Sequence, residues 1–96
     1  MKPSDALRAN RSAIRGIVAR HRAGNARVFG SALHGADTEG SDLDILIDPT
    51  PETTLFDIGA IRHELLLLLG VPVDVLTPGA LPPALRSAVL AEAEPI

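Results

Sequence analysis

From Asp42 to Asp48 the chain alternates acidic and aliphatic side chains: Asp42, Leu43, Asp44, Ile45, Leu46, Ile47, Asp48. Successive side chains of a β-strand point to opposite faces. The pattern therefore predicts a strand with Leu43, Ile45 and Ile47 on one face and Asp42, Asp44, Leu46 and Asp48 on the other. Pro49 and Pro51 cannot donate to a ladder and end it. The aliphatic face needs a cover. The acidic face carries two carboxylates two residues apart, which repel one another unless something positive sits between them.

The segments on either side supply partners for this strand. Residues 4–21 read as a helix with Leu7, Ile14, Ile17 and Val18 on one face, Ser4 as its N-cap and Gly24 as its stop. Residues 26–29 form a short apolar run that ends in Gly30-Ser31, a strand entering a tight turn. Gly35, Asp37, Thr38 and Gly40 mark residues 33–40 as an exposed loop. Residues 54–69 read as a second helix, with Leu55, Ile58, Ile61, Leu65 and Leu68 as its buried stripe and Gly70 closing it. Five consecutive leucines, 65–69, circle that helix, so some face outward or against another protein. Residues 71–77 form a strand with Val71, Val73 and Val75 on one face and Asp74 on the other. A last helix starts at 81–83 and runs to Ala93.

The order helix, strand, loop, strand, helix, strand, helix has no repeat or linker. It predicts an α+β (α/β-like) fold: a small mixed sheet of three to four strands with helices packed on it, as a single domain over 1–96.

Composition narrows the function. Hydrophobic residues make up 46% of the chain, enough for a core, while aromatics make up 2%. With no Trp or Tyr and a net charge of -3, neither base stacking nor a dominant basic surface is on offer, so direct nucleic-acid binding is not expected. The absence of cysteine excludes disulfides and thiolate metal sites and fits a reducing cytoplasm. No apolar run is long enough for a membrane span.

The chemistry gathers at three places. Asp42 and Asp44 share one strand face, and magnesium is the natural ion between them, because it takes carboxylate oxygens and shares its remaining positions with phosphates. Asp74 interrupts an apolar strand, where an unpaired charge has no cheap place. If that strand pairs beside the first, Asp74 completes a three-carboxylate cluster. Gly30 lets backbone N–H groups approach a phosphate, Ser31 adds a hydroxyl, and a helix starting there would add its dipole.

The segment V-F-G-S-A-L-H-G-A-D-T-E-G-S-D-L-D-I-L-I-D resembles the signature of the polymerase-β-like nucleotidyltransferase superfamily. It is most similar to minimal nucleotidyltransferase (MNT) proteins that act as antitoxins to HEPN toxins. L-G-V-P-V-D-V-L-T and R-S-A-V-L-A-E-A extend the likeness over nearly the whole chain. The resemblance implies that Gly30 and Ser31, with Ser41 and His34, bind the nucleotide, and that Asp42, Asp44 and Asp74 are the metal ligands and catalytic residues. It implies two Mg2+ ions and ATP as substrate, with AMP transferred to a tyrosine of a HEPN RNase toxin and pyrophosphate released. Many relatives have Arg where this chain has His34; Arg grips phosphate at any pH, His only when protonated.

Blander readings apply elsewhere. Asp48 reads as a structural strand-end residue, His21 and His63 as surface residues, and Glu64 as part of a solvated helix face. Two functions stay open: a metal-dependent protein adenylyltransferase whose acceptor arrives on another molecule, or a nucleotidyltransferase-like antitoxin that neutralises its toxin by binding alone.

Overall fold

The computed structural model describes residues 1–96. The chain runs α1 (Pro3–Arg20), β1 (Ala23–Phe29), β2 (Leu43–Pro49), α2 (Leu55–Leu69), β3 (Val73–Leu76), a 3₁₀ turn (Pro78–Ala80), α3 (Pro83–Glu92) and β4 (Glu94–Pro95). The strands form one mixed sheet in the order β3-β2-β1-β4, with β2 parallel to β3 and antiparallel neighbours elsewhere. The α+β expectation holds, with the sheet at four strands. No helix is long and apolar enough to cross a membrane.

Strand parity sets the layers. Leu43, Ile45 and Ile47 are fully buried and join Val28, Val73 and Val75 on the face covered by α1 and α2. Each fully buried Leu or Ile of this kind contributes about 1.5–3 kcal/mol. Leu46, on the acidic face, is fully buried as well. The 3₁₀ turn packs on β2 there, and Leu81, directly after it, is also buried. The second face is thus covered at Leu46 and open at the Asp42–Asp44 end.

Several local expectations are corrected. Ser4 does not cap α1. Pro3 opens the helix after Lys2, and the Ser4 backbone N–H donates to Asp37 Oδ2 at 2.8 Å, so a carboxylate from the distant 33–40 loop caps it. Gly24 does not stop α1 either. The reversal falls on Arg22 (φ 63), and β1 already starts at Ala23, with a bulge around Asn25 (φ 49) that hides its alternation. In α2 the buried residues are Asp57, Ile61, Leu65 and Leu69, while Leu55 and Leu68 are exposed. Repeated steps of three residues drift 60° each on a 3.6-residue helix, so Leu55, two steps from Ile61, has rotated off the core. Gly70 (φ 68) does close α2, and Thr54 and Asp57 form a capping box at its start. β4 is too short for its sequence to show any periodicity.

Candidate active site

β1 delivers its last residue, Phe29, opposite Asp44 of β2, and Asp44 lies in register with Asp74 of β3. Residues in register across a ladder share a face, so the Asp44 and Asp74 side chains stand side by side. Asp42 precedes β2 by one residue and is exposed. The Asp44 carboxyl is held above the ordinary carboxylate range, first by burial, then by the charge of Asp74, then by that of Asp42. Asp44 thus lies within the fields of both Asp74 and Asp42.

Their lack of side-chain partners sets them apart from the other four aspartates. Asp5 pairs with Arg8, and Asp37 takes the Ser4 N–H. Asp48 holds Arg27 and Asn25, in keeping with a structural role, and Asp57 holds Arg22 and the Thr54 N–H. The Asp42, Asp44 and Asp74 side chains have no hydrogen bond or ion pair within the chain. No three Asp, Glu or His side chains close into a ready-made cage for an ion. A carboxylate pair open to solvent instead suits magnesium, which binds through one or two carboxylates and completes its shell with phosphate oxygens and water.

Gly30 forms the opposite wall. Its φ of 75 favours glycine, and a Cβ there would strike Oδ2 of Asp44, with Cγ 3.2 Å away. The turn and the carboxylate face are thereby in contact. After Gly30 the chain makes a single coil of turns and then the exposed loop read from the sequence, so no helix adds its dipole there. The Leu33 and His34 N–H groups donate to the Gly30 carbonyl at 3.2 and 3.3 Å, and the Ala36 N–H donates to the Ser31 carbonyl at 3.0 Å. The Ser31 hydroxyl makes no hydrogen bond within the chain.

The other candidates sit differently. Ser41 Oγ accepts the Thr38 N–H at 2.9 Å, so its hydroxyl is engaged in closing the loop before β2. His34 Nε2 lies 2.6 Å from Glu92 Oε2 of α3. Sequence reading missed that pair, as it missed Asp37, which anchors the loop between Ser31 and Asp42. Neither contact leaves a periodic signal, because both join segments far apart in sequence. His21 and Glu64 are not idle surface groups: Glu64 holds both Arg20 and His21, and His21 also faces Asp57, 3.9 Å away. The one cavity, about 350 Å³, lies between α1, β1 and β4 and is lined by Arg15, Val18, Ala23, Asn25 and Ile96. The carboxylates are remote from it, on an open surface of the other sheet face.

Comparison with known proteins agrees with this architecture. Residues 11–95 match the family model described as nucleotidyltransferase domain. A Methanocaldococcus jannaschii protein, named by inference a protein adenylyltransferase, is 36% identical over 77 residues, covering 80% of this chain and 83% of its own length. A solved structure assigned by inference as a minimal nucleotidyltransferase superposes with a TM-score of 0.87 at 43% identity, covering 97% of this chain and 95% of the other. A toxin–antitoxin structure with AMP-PNP has a TM-score of 0.65 at 19% identity, covering 95% of this chain and 66% of that one, and shows the fold alone. The chain belongs to the nucleotidyltransferase domain family, with the mixed sheet of the minimal nucleotidyltransferase structure.

Proposed function

We propose that this chain transfers AMP from ATP to a hydroxyl of a protein partner, as the antitoxin of a toxin–antitoxin pair. The observation that carries the reading is the face shared by Asp44 and Asp74, beside Asp42 and against Gly30. The similarity to the inferred adenylyltransferase supports protein as the acceptor class. The fold shared with the toxin–antitoxin structure supports a toxin as partner. The sequence resemblance points to a HEPN-type RNase toxin and to one of its tyrosines.

In this reading Gly30 lets the turn backbone approach the triphosphate, and Ser31 donates its hydroxyl to a phosphate oxygen. Asp42 and Asp44 would hold two Mg2+ ions and Asp74 would share one of them. Magnesium, when bound, neutralises the charge that builds on the phosphates. The acceptor oxygen bonds to the α-phosphorus, the bond from that phosphorus to the bridging oxygen breaks, and pyrophosphate leaves. Asp74 accepts the acceptor's proton. Catalysis is mainly positioning and charge neutralisation.

The open carboxylate face supports an acceptor brought by another molecule. A second reading, neutralisation by binding alone, draws on the engagement of Ser41 with Thr38 and of His34 with Glu92. Incubation with the partner, Mg2+ and ATP labelled at the α-phosphate separates the two. Label on the partner, lost in an Asp42→Asn/Asp44→Asn variant, supports transfer. No label, with full neutralisation by that variant, supports binding alone.

A further inference from the structure

We propose that two copies of this chain pair antiparallel through the outer faces of their α2 helices. The helix is apolar on nearly all sides. Ile61, Leu65 and Leu69 face the core, yet Leu55, Phe56, Leu66 and Leu67 are 84%, 90%, 37% and 71% exposed on the outer side. A helix that is apolar all round is normally covered on both sides.

The arrangement of the outer residues specifies the occupant. Leu55 and Leu66 are separated by 11 positions, as are Phe56 and Leu67. Eleven residues make about three turns, so each pair shares a face. Large apolar residues stand at both ends of the stripe, with Gly59 and the exposed His63 between them. The pattern is self-complementary about its middle. A two-fold axis there sets Leu55 against Leu66 of the second copy and Phe56 against its Leu67. Gly59 then faces the second copy's His63. Nothing lies within 4 Å of where a Cβ on Gly59 would be, so there is room for the imidazole. Self-complementarity of one patch is what an isologous dimer requires.

The area is sufficient. The four side chains expose about 600 Å² per chain, at the upper end of what a monomer leaves uncovered. Complete burial of these side chains on both copies removes about 1,200 Å² in total, the lower bound of a stable interface. Because α2 covers the sheet face opposite the carboxylates, pairing leaves both candidate sites open, and the proposal stands whether or not the chain transfers AMP.

Sedimentation velocity across the micromolar range tests it. The parent chain is expected to sediment as a dimer. Phe56→Glu/Leu67→Glu, at exposed positions, is expected to be monomeric with an unchanged circular dichroism spectrum, its dimer weakened by at least about a hundredfold. The chain has no cysteine, so Phe56→Cys/Leu67→Cys offers an independent arm. It is expected to oxidise to a disulfide-linked dimer, since the two positions on one helix are too far apart to bridge. A parent chain that is monomeric throughout overturns the proposal. So does a dimer unaffected by the glutamates, or a patch that becomes covered only when a toxin partner is added.

Discussion

Asp44 and Asp74 are register partners on adjacent parallel strands, with their carboxylates on one face and no basic side chain of the chain bonded to either. Like charges in this relation cost stability unless a cation joins them. The fold holds them together against that cost, which ties the site to measurable properties of the apo protein.

Neutralising one of the pair should therefore stabilise the apo chain. The Asp44 carboxyl is raised by burial and by Asp74 and Asp42, so the folded state favours its protonated form. Its contribution to stability is present at low pH and is lost as pH rises through the raised value. At neutral pH, relief of like charges worth about 0.2–1 kcal/mol predicts that Asp44→Asn raises the apo melting temperature by about 1–5 °C. The same variant should lose the thermal shift that MgATP gives the parent chain. Differential scanning fluorimetry with and without MgATP reads both effects.

Gly30 and Gly16 should respond oppositely to alanine. At Gly30 the left-handed φ and the contact with Asp44 predict a loss of about 1–3 kcal/mol and weakened nucleotide binding. Gly16 lies inside α1 with open space around its Cα, so alanine there should add about 0.5–1 kcal/mol. Urea unfolding of the two variants tests the contrast.

Acid should weaken the α1–α2 junction and the loop anchor together. The Asp57 carboxyl is lowered first by the Thr54 N–H and also by Arg22, that of Glu64 by His21 and then Arg20, and that of Asp37 by the Ser4 N–H. A lowered carboxyl contributes stability above its unfolded value and loses it as pH falls through the folded one. The urea midpoint should thus fall below about pH 4. Replacing Asp37 with Asn should flatten part of that fall.

The sequence showed what was periodic and local. Leu43, Ile45 and Ile47 announced a strand and its buried face, Asp74 announced the parity of β3, and Gly70 announced the end of α2. What escaped were relations between distant segments. The Asp37 cap on α1, the His34–Glu92 pair and the packing of the 3₁₀ turn on β2 depend on where the chain returns. The bulge at Asn25 disguised the start of β1. The contact between Gly30 and Asp44 was partly legible: glycine after a strand suggested a close approach, but by a phosphate, whereas the nearest group is a carboxylate of the chain itself.

His34 is the position where ATP affinity should be most adjustable. Arg keeps its charge at every pH at which the fold survives and forks toward two oxygens. His34→Arg should lower the ATP dissociation constant at pH 8 by about 3- to 10-fold, the effect of one charge-assisted contact partly shared with Glu92. Isothermal titration calorimetry of the two proteins with MgATP measures it.

Transfer itself is the most direct test of the carboxylate face. The purified chain is mixed with its partner toxin, Mg2+ and ATP labelled at the α-phosphate, and the partner is followed by intact mass and by label. A mass gain of one or more AMP units on the partner is expected with the parent chain, and none with Asp42→Asn/Asp44→Asn. An unmodified partner that is nonetheless fully neutralised by both proteins would contradict it.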